Sequence, residues 1–190
     1  MRSVIATLFA LLLSVFLLVA GNGLHGTLIS VRARIEGFSL LDVGLIGAAY
    51  FVGFLLGCLW AGKLIRRVGH IRTFAILAAI AAQVALFQSF FITPIPWFLF
   101  RAISGFCFAG LAMIIESWLN ENASNENRGK VISIYRIVEL SGIFCGQVIF
   151  ALSVPSGFVL FAVVTSLVTL SLIPVSATTS KLPREAGRMT

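Results

Sequence analysis

Six apolar segments, each roughly 20 residues long, constrain this chain of 190 residues more than any other feature. A helix needs about 20 apolar residues to cross a hydrocarbon core roughly 30 Å thick. The segments occupy residues 4–30, 43–65, 73–92, 97–119, 131–152 and 158–175. Residues 93–96 and 153–157 contain proline, which fits poorly inside a helix, and we interpret both stretches as turns. The pattern predicts six membrane-spanning segments.

These segments should be helices rather than strands. In lipid, backbone polar groups must be satisfied within the segment or in a closed barrel. Barrel strands would be about ten residues long with alternating polarity, whereas these runs are longer and apolar on all sides. We therefore predict an all-α membrane protein, in which residues 1–177 form a six-span bundle and residues 178–190 form a cytoplasmic tail that begins a linker.

Composition excludes several other classes of protein. Hydrophobic residues make up 59% of the chain and charged residues 11%, which excludes both a soluble domain and a disordered chain. Three scattered cysteines without a CxxC pair support neither a disulfide framework nor a zinc site. We expect no metal and no cofactor. A signal peptide is disfavoured because the first apolar run is too long and no A-x-A site follows it.

The distribution of positive charge predicts the orientation. With six spans both termini share one side, and eleven of the 14 Lys and Arg residues then lie there, against Arg32, Arg34 and Arg101 opposite. Lys and Arg accumulate in cytoplasmic loops, so we expect both termini in the cytoplasm. The net charge of +7 would favour nucleic-acid binding in a soluble protein. Here membrane topology accounts for it, and we expect a lipid bilayer and no nucleic acid as partner.

Several motifs resemble those of the major facilitator superfamily. Residues 62–72, with Gly62, Gly69 and several basic residues, are similar to its loop between the second and third helices, and Arg101 with Gly105 is similar to its fourth-helix motif. Its YcaD-like branch is resembled by GNGL at 21–24, GLIGAAYF at 44–51, ESWLN at 116–120, RGK at 128–130 and the segment 142–147. The resemblance implies the N-terminal six-helix half of a transporter, built as a 3+3 inverted repeat in a bacterial inner membrane.

The sequence departs from the family pattern in three ways. Arg66 stands where the loop motif usually has an acid, and Gln147 stands where classical antiporters have a proline. The chain also ends where the central linker of a twelve-span protein would begin. We therefore expect a truncated or half-length transporter that needs a second six-helix half or a parallel homodimer.

Small residues recur at every fourth position in two spans. They are Ala49, Gly53, Gly57 and Ala61 in the second span, and Gly142 and Gly146 in the fifth. Such stripes allow close helix packing in lipid. The resemblance implies that these two helices face the other half, so we expect the stripes to point at a missing partner; generic packing is the alternative.

Arg136 and Glu139 are candidate functional residues, because a charge costs about 2.5–3.5 kcal/mol at the centre of an inserted helix. Counted from Lys130 at 1.5 Å per residue, Arg136 lies about 9 Å deep and Glu139 about 13.5 Å deep, near the midplane. Their i,i+3 spacing allows them to pair. Either they form a structural ion pair, or Glu139 lines a cavity and binds protons or a cationic solute.

Asn22 and His25 lie in the outer half of the first span, beside three glycines between positions 21 and 26. Glycines weaken a helix and expose carbonyls, as in broken transporter helices, and imidazole titrates near neutral pH, which suits a proton-coupled gate. Alternatively, Asn22 bonds a neighbouring helix and His25 sits at the headgroups. By resemblance Arg101 is the coupling arginine, unless it snorkels outward. Gln83 and Gln88 should form bonds between helices.

A cytoplasmic gate is predicted at the inner helix ends, formed by Gly62, Arg66, Arg67, Gly69, Arg72, Glu116 and Arg128. In the superfamily an acid on the 2–3 loop pairs with basic residues in the outward-open state. Here we expect reversed polarity, with Glu116 bonded to Arg66 or Arg67; Glu116 facing Arg128 is the alternative.

Together these features predict a secondary active transporter that moves a small solute, with or without protons, by alternating access. A non-transporting membrane module is the alternative. An enzyme is disfavoured because the sequence has no metal-ligand cluster, nucleophile elbow or H-E-x-x-H motif.

Overall fold

A computed structural model describes residues 2–123 and 127–176 of the chain. All regular elements in these two ranges are helices: α1 Arg2–Ile35, α2 Leu40–Val68, α3 His70–Gln88, α4 Pro94–Asn122, α5 Arg128–Ala151, α6 Val159–Leu170 and α7 Leu172–Ser176. Six stretches are long and apolar enough to cross a membrane, and α6 with α7 forms the sixth. The predicted all-α membrane fold is confirmed. The predicted tail, residues 178–190, lies outside the described residues.

The connection between α2 and α3 is shorter than predicted. The helix α2 continues through Arg66 and Arg67 to Val68, and α3 begins at His70, so Gly69 alone joins them. Gly69 has φ +91°, a backbone region that glycine adopts without steric cost. The expected loop over residues 62–72 is therefore wrong: the motif consists of two helix ends that meet at one glycine.

The two proline-containing stretches differ in structure. The helix α4 begins at Pro94 and holds both prolines of residues 93–96 in its first turn, so the interpretation of that stretch as a turn is wrong. The first N–H groups of a helix have no intrahelical partner, and the fixed φ of proline suits that position. The turn lies just before, at residues 89–93, whereas the predicted turn at 153–157 is confirmed.

The order of helix packing repeats after three spans. The helix α1 packs against α5 and α6, and α4 packs in the same way against α2 and α3. If α1, α2 and α3 are exchanged with α4, α5 and α6 in that order, the contacts of α1 become those of α4. The contact between α3 and α6 is unchanged by the exchange. Because α1 and α4 cross the membrane in opposite directions, this is the 3+3 inverted repeat of the predicted half-bundle.

The small residues of α2 and α5 face the interior of this bundle. A Cβ atom added to Gly53 would overlap the carbonyl oxygen of Ala102 in α4, and one added to Gly146 would lie 2.5 Å from the carbonyl oxygen of Ala20 in α1. The expectation that both stripes point at a missing partner is therefore wrong. They bring α2 against α4 and α5 against α1, which is the generic packing role.

The opposite faces of α2 and α5 are apolar and uncovered. In their most apolar 18-residue windows, 22% of α2 and 17% of α5 is buried, the lowest values among the six spans. Large side chains exposed there include Phe51, Leu55 and Leu59 on α2 and Ile137, Leu140 and Phe144 on α5. These two faces are available to lipid or to another membrane-embedded unit.

Candidate functional site

Five polar side chains form a connected network inside the bundle. Nε2 of His25 lies 2.6 Å from Oε1 of Gln88, and Nδ1 of His25 lies 3.5 Å from Nη1 of Arg101. The guanidinium carbon of Arg101 lies 4.5 Å from the centroid of the Tyr50 ring, and the Tyr50 hydroxyl accepts a 3.0 Å hydrogen bond from Asn22. We call these five residues the buried network. It joins α1, α2, α3 and α4.

The bonding partners of His25 define its tautomer. A guanidinium only donates hydrogen bonds, so Nδ1 accepts from Arg101 and Nε2 carries the proton that it donates to Gln88. This ring is neutral and has no free lone pair, so a role as proton gate would require Arg101 to move away first. His25 is 1% exposed and lies in the bundle interior rather than at the headgroups.

Helix ends and glycines position the network. Gln88 is the last residue of α3, and its carbonyl accepts a 2.9 Å hydrogen bond from the indole of Trp97 near the start of α4. Gln88 therefore bonds between helices as predicted, whereas Gln83 is exposed. The helix α1 is continuous through residues 21–26, so the three glycines do not interrupt it. Its Asn22 bonds a neighbouring helix, as one of the two alternatives predicted.

Arg101 is a buried cation, with 7% of its surface exposed. It lies seven residues from Pro94, about 10 Å along α4, and does not snorkel to the surface. Within residues 2–123 and 127–176 no carboxylate lies within 4 Å of it. In place of a carboxylate, the lone pair of His25 and the electron-rich face of the Tyr50 ring contact the guanidinium of Arg101.

The network also holds unused donors. Nε of Arg101 and Nε2 of Gln88 are buried without hydrogen-bond partners. Buried polar atoms without partners are costly and uncommon in folded proteins. The hydrogen-bonding capacity of Arg101 and Gln88 is therefore only partly used by the neighbouring side chains.

A cavity of about 380 Å³ lies beside this network, between α1, α2, α4 and α5. Most of its wall is apolar. Polar groups enter it from Asn22, Tyr50, Glu116, Tyr135, Arg136 and Glu139. Asn22 and Tyr50 belong to both the cavity and the buried network, so they link the open space to Arg101.

Glu139 lies at the middle of α5, as the twelfth of its 24 residues, and lines the cavity. Nη1 of Arg136 donates to Oε2 of Glu139 at 2.6 Å, which confirms the predicted i,i+3 pair. The two side chains are 59% and 24% exposed. The sequence left open whether Glu139 forms a structural ion pair or lines a cavity. In the structure its carboxylate is paired with Arg136 and also lines the cavity.

Gln147, which replaces the proline of the family pattern, bonds α5 to α1. Its amide nitrogen donates to the carbonyl of Gly23 at 3.1 Å, and its amide oxygen accepts from the Thr27 hydroxyl at 3.0 Å. A Cβ atom on Gly23 would lie 3.4 Å from the backbone of Ile143. The glycine-rich part of α1 thus allows α5 to pack closely against it, and the hydrogen bonds of the Gln147 amide stabilise this contact.

The predicted gate residues are separate in this conformation. Arg66, Arg67 and Arg72 are exposed, and Arg66 folds back along α2 towards Gly62. Glu116 lines the cavity and is not within 4 Å of any arginine in the described ranges. A bond between Glu116 and Arg66 or Arg67 stays a prediction for another conformation.

Other residues join the helix ends at the predicted gate. Arg128 donates to the side chain of Asn120 at 3.1 Å rather than to Glu116. Nε2 of His70 lies 3.3 Å from the Ser117 hydroxyl, and its ring stacks on Trp118. Sequence reasoning missed His70, although a polar aromatic residue directly after the glycine of the motif is a signal for an interfacial contact.

Sequence reasoning also missed Tyr50 as a site residue. The one available signal was a phenol in an otherwise apolar span, since a buried tyrosine hydroxyl usually finds a partner. Its partners Asn22 and Arg101 come from other helices, so no local spacing indicated them.

Comparison with known proteins agrees with this architecture. A family model described as Major Facilitator Superfamily matches residues 11–189. The chain belongs to this superfamily. Uncharacterized MFS-type transporter Ent638_1421 of Enterobacter sp. (strain 638) is 30% identical over 137 residues, which cover 72% of this chain and 36% of that protein. Uncharacterized MFS-type transporter YcaD of Salmonella newport (strain SL254) is 28% identical over 139 residues, covering 73% and 36%.

Two conclusions follow from these matches. The resemblance to the superfamily and to its YcaD-like branch is confirmed, and the chain is a multi-pass integral membrane protein. It spans about a third of the length of the curated relatives it matches. The names of those relatives specify no solute.

Proposed function

We propose that this chain forms one half of a secondary active transporter that moves a small solute by alternating access. The observation that supports the proposal is the cavity, which is lined by the midspan carboxylate of Glu139 and by Tyr50, whose ring contacts the buried Arg101. Ionisable groups inside spans are expensive and mark solute or ion pathways. Membership of the superfamily supports transport and a non-enzymatic role.

The geometry suggests a division of roles. Glu139 binds a proton or a cationic group from the cavity. Tyr50 lines the cavity, and its hydroxyl accepts a hydrogen bond from Asn22, which also lines it. The face of the Tyr50 ring contacts Arg101. A shift of Tyr50 would therefore disturb the contact between Arg101 and His25, which connects α1 to α4, the first helices of the two repeats.

A second six-helix unit is proposed to complete the cavity. It would cover the uncovered faces of α2 and α5, and the match to 36% of the relatives' length leaves room for it. The unit is either the remainder of a longer protein or a parallel second copy, since an antiparallel copy would violate the charge bias. Without such a unit, a non-transporting module is the alternative function.

We expect solute-dependent currents from proteoliposomes of the full-length gene product, recorded on a solid-supported membrane with and without a pH gradient. Glu139→Gln should reduce the current about tenfold or more, because it removes the charge that the cavity presents at midspan. Glu36→Gln is the matched control, since Glu36 also pairs with a nearby arginine, Arg32 near the end of α1, but lies outside the cavity. Folded protein that gives no current with any solute of a broad panel would favour the non-transporting module.

Both termini are proposed to face the cytoplasm. Arg136 and Arg101 lie within the spans, and setting them aside leaves ten positive residues on one side and two on the other. Lys130 is exposed in the first turn of α5, and Ser156 is exposed in the turn that follows this helix. We expect single cysteines at these two positions to label differently in spheroplasts of a cysteine-free variant. An impermeant maleimide should react with Ser156→Cys only. Labelling of Lys130→Cys alone would show that the orientation is opposite to the one proposed.

A further inference from the structure

We propose that the cavity binds an amphipathic organic cation, and that Arg136 competes with this cation for its position at Glu139. The inference rests on the transport function proposed above and names the solute class for the same cavity. It follows from where the guanidinium of Arg136 lies.

The Arg136 guanidinium occupies a cation position on the cavity wall. It is bonded to the carboxylate of Glu139 at 2.6 Å, and its central carbon lies 5.4 Å from the centroid of the Tyr135 ring. A carboxylate and an aromatic face are the two groups that bind organic cations in proteins. A solute cation at this point would take over both contacts.

Arg136 is free to leave this position. Its side chain is 59% exposed, and exposed ion pairs contribute little because water and side-chain entropy offset the attraction. Arginine has a long apolar stem that allows its charged end to move into water. Glu139 is shorter, less exposed and fixed at the middle of α5, so its carboxylate stays when the guanidinium departs.

The charge of the wall favours a cation once Arg136 has moved. Glu116 and Glu139 both line the cavity, and Arg136 is the only basic residue among the described residues of its lining. Arg101 lies outside that lining, and its guanidinium carbon is 4.5 Å from the centroid of the Tyr50 ring. Two carboxylates therefore face the space that the solute would enter.

The remaining wall fits an apolar solute body. Aromatic rings line it at Tyr50, Phe54, Phe108 and Tyr135, together with aliphatic side chains from α1, α4 and α5. A volume of about 380 Å³ lies within the range of about 300–1,000 Å³ typical of small-molecule pockets. A cation with apolar rings satisfies both the carboxylates and this surface.

The test compares two probes of equal shape and opposite charge. Tetraphenylphosphonium and tetraphenylborate are titrated onto the full-length gene product in nanodiscs, and binding to empty nanodiscs is subtracted. The wild-type protein should bind the phosphonium and show no saturable binding of the borate. Saturable binding of the borate with equal or higher affinity would overturn the proposal.

The Arg136 variants test whether the guanidinium competes with the phosphonium for Glu139. Arg136→Gln should tighten phosphonium binding up to about fivefold, the scale of an exposed ion pair, because the internal competitor is gone. Arg136→Lys keeps the charge and should bind as the wild type does. A purely structural ion pair predicts the reverse, so weaker binding in Arg136→Gln would overturn the competition.

The Glu139 variants locate the binding position. Glu139→Gln should weaken phosphonium binding about tenfold or more, whereas Glu36→Gln should leave it unchanged. If Glu139→Gln does not stay monodisperse, Glu139→Asp preserves the charge at a shorter reach and should bind with intermediate affinity. Unchanged binding in both Glu139 variants would refute the site.

This binding assay separates the inference from the transport proposal, because it uses no gradient and no flux. Phosphonium binding without any solute-driven current would reject transport and leave the cation site standing. Currents driven by an uncharged or anionic solute, without phosphonium binding, would reject the cation site and leave transport standing.

Discussion

Replacing Gly105 with alanine is expected to disrupt the packing of α2 against α4. A Cβ atom at this position would overlap the carbonyl oxygen of Tyr50 and lie 2.8 Å from the backbone nitrogen of Phe54. Both obstacles are backbone atoms, so no side chain can rotate to make room and the whole helix has to shift. Gly53 makes the same close approach from the other side, at Ala102. The loss should be about 3 kcal/mol or more, at the upper end of overpacking costs.

The measurement is the thermal unfolding midpoint of the purified protein in detergent, with size-exclusion chromatography as a check of the folded state. A loss of about 3 kcal/mol corresponds to a drop in Tm of about 6–12 °C for a chain of this size. Gly47→Ala is the matched control, since a Cβ atom there meets nothing within 4 Å and alanine favours the helix. Equal Tm values for both variants would show that α2 and α4 do not pack closely.

The spans could be predicted from the sequence because hydropathy and length reflect the medium and not the tertiary fold. Their ends could not. Arg66 and Arg67 indicate a loop when charge is taken as a sign of exposure to water, yet α2 continues through both. Long basic side chains reach the interface from the last turns of a helix, so a charged run does not define where the helix ends.

Contacts within one helix were also predictable from spacing, and contacts between helices were not. The pair Arg136 and Glu139 follows from an i,i+3 separation. His25 instead meets residues 63 and 76 positions away in the chain, Gln88 and Arg101. Spacing likewise indicated that Gly53 and Gly146 allow close packing, but their partner helices are set by the tertiary arrangement.

Replacing Arg101 with leucine is expected to stop transport while leaving the protein folded. A buried charge replaced by an apolar side chain is often neutral or stabilising for the fold, and in this network no carboxylate partner would be left unpaired. The variant would nevertheless remove the group that holds His25 and lies under the Tyr50 ring. Solute-driven current should fall about 100-fold, which corresponds to about 2.7 kcal/mol in the rate-limiting barrier.

Further variants distinguish a charge effect from a contact effect. Arg101→Lys keeps the charge, but an ammonium is a compact point charge without the planar fork of donors, so we expect intermediate activity. Arg34→Leu is the matched control, because among the described residues the Arg34 side chain bonds only the carbonyl of Phe38, near the C-terminal end of α1. Tyr50→Phe retains the ring over Arg101 and removes only the bond to Asn22, so it should retain more current than Tyr50→Leu. Near wild-type current in folded Arg101→Leu would mean that the buried network is structural, and that translocation depends on the cavity alone.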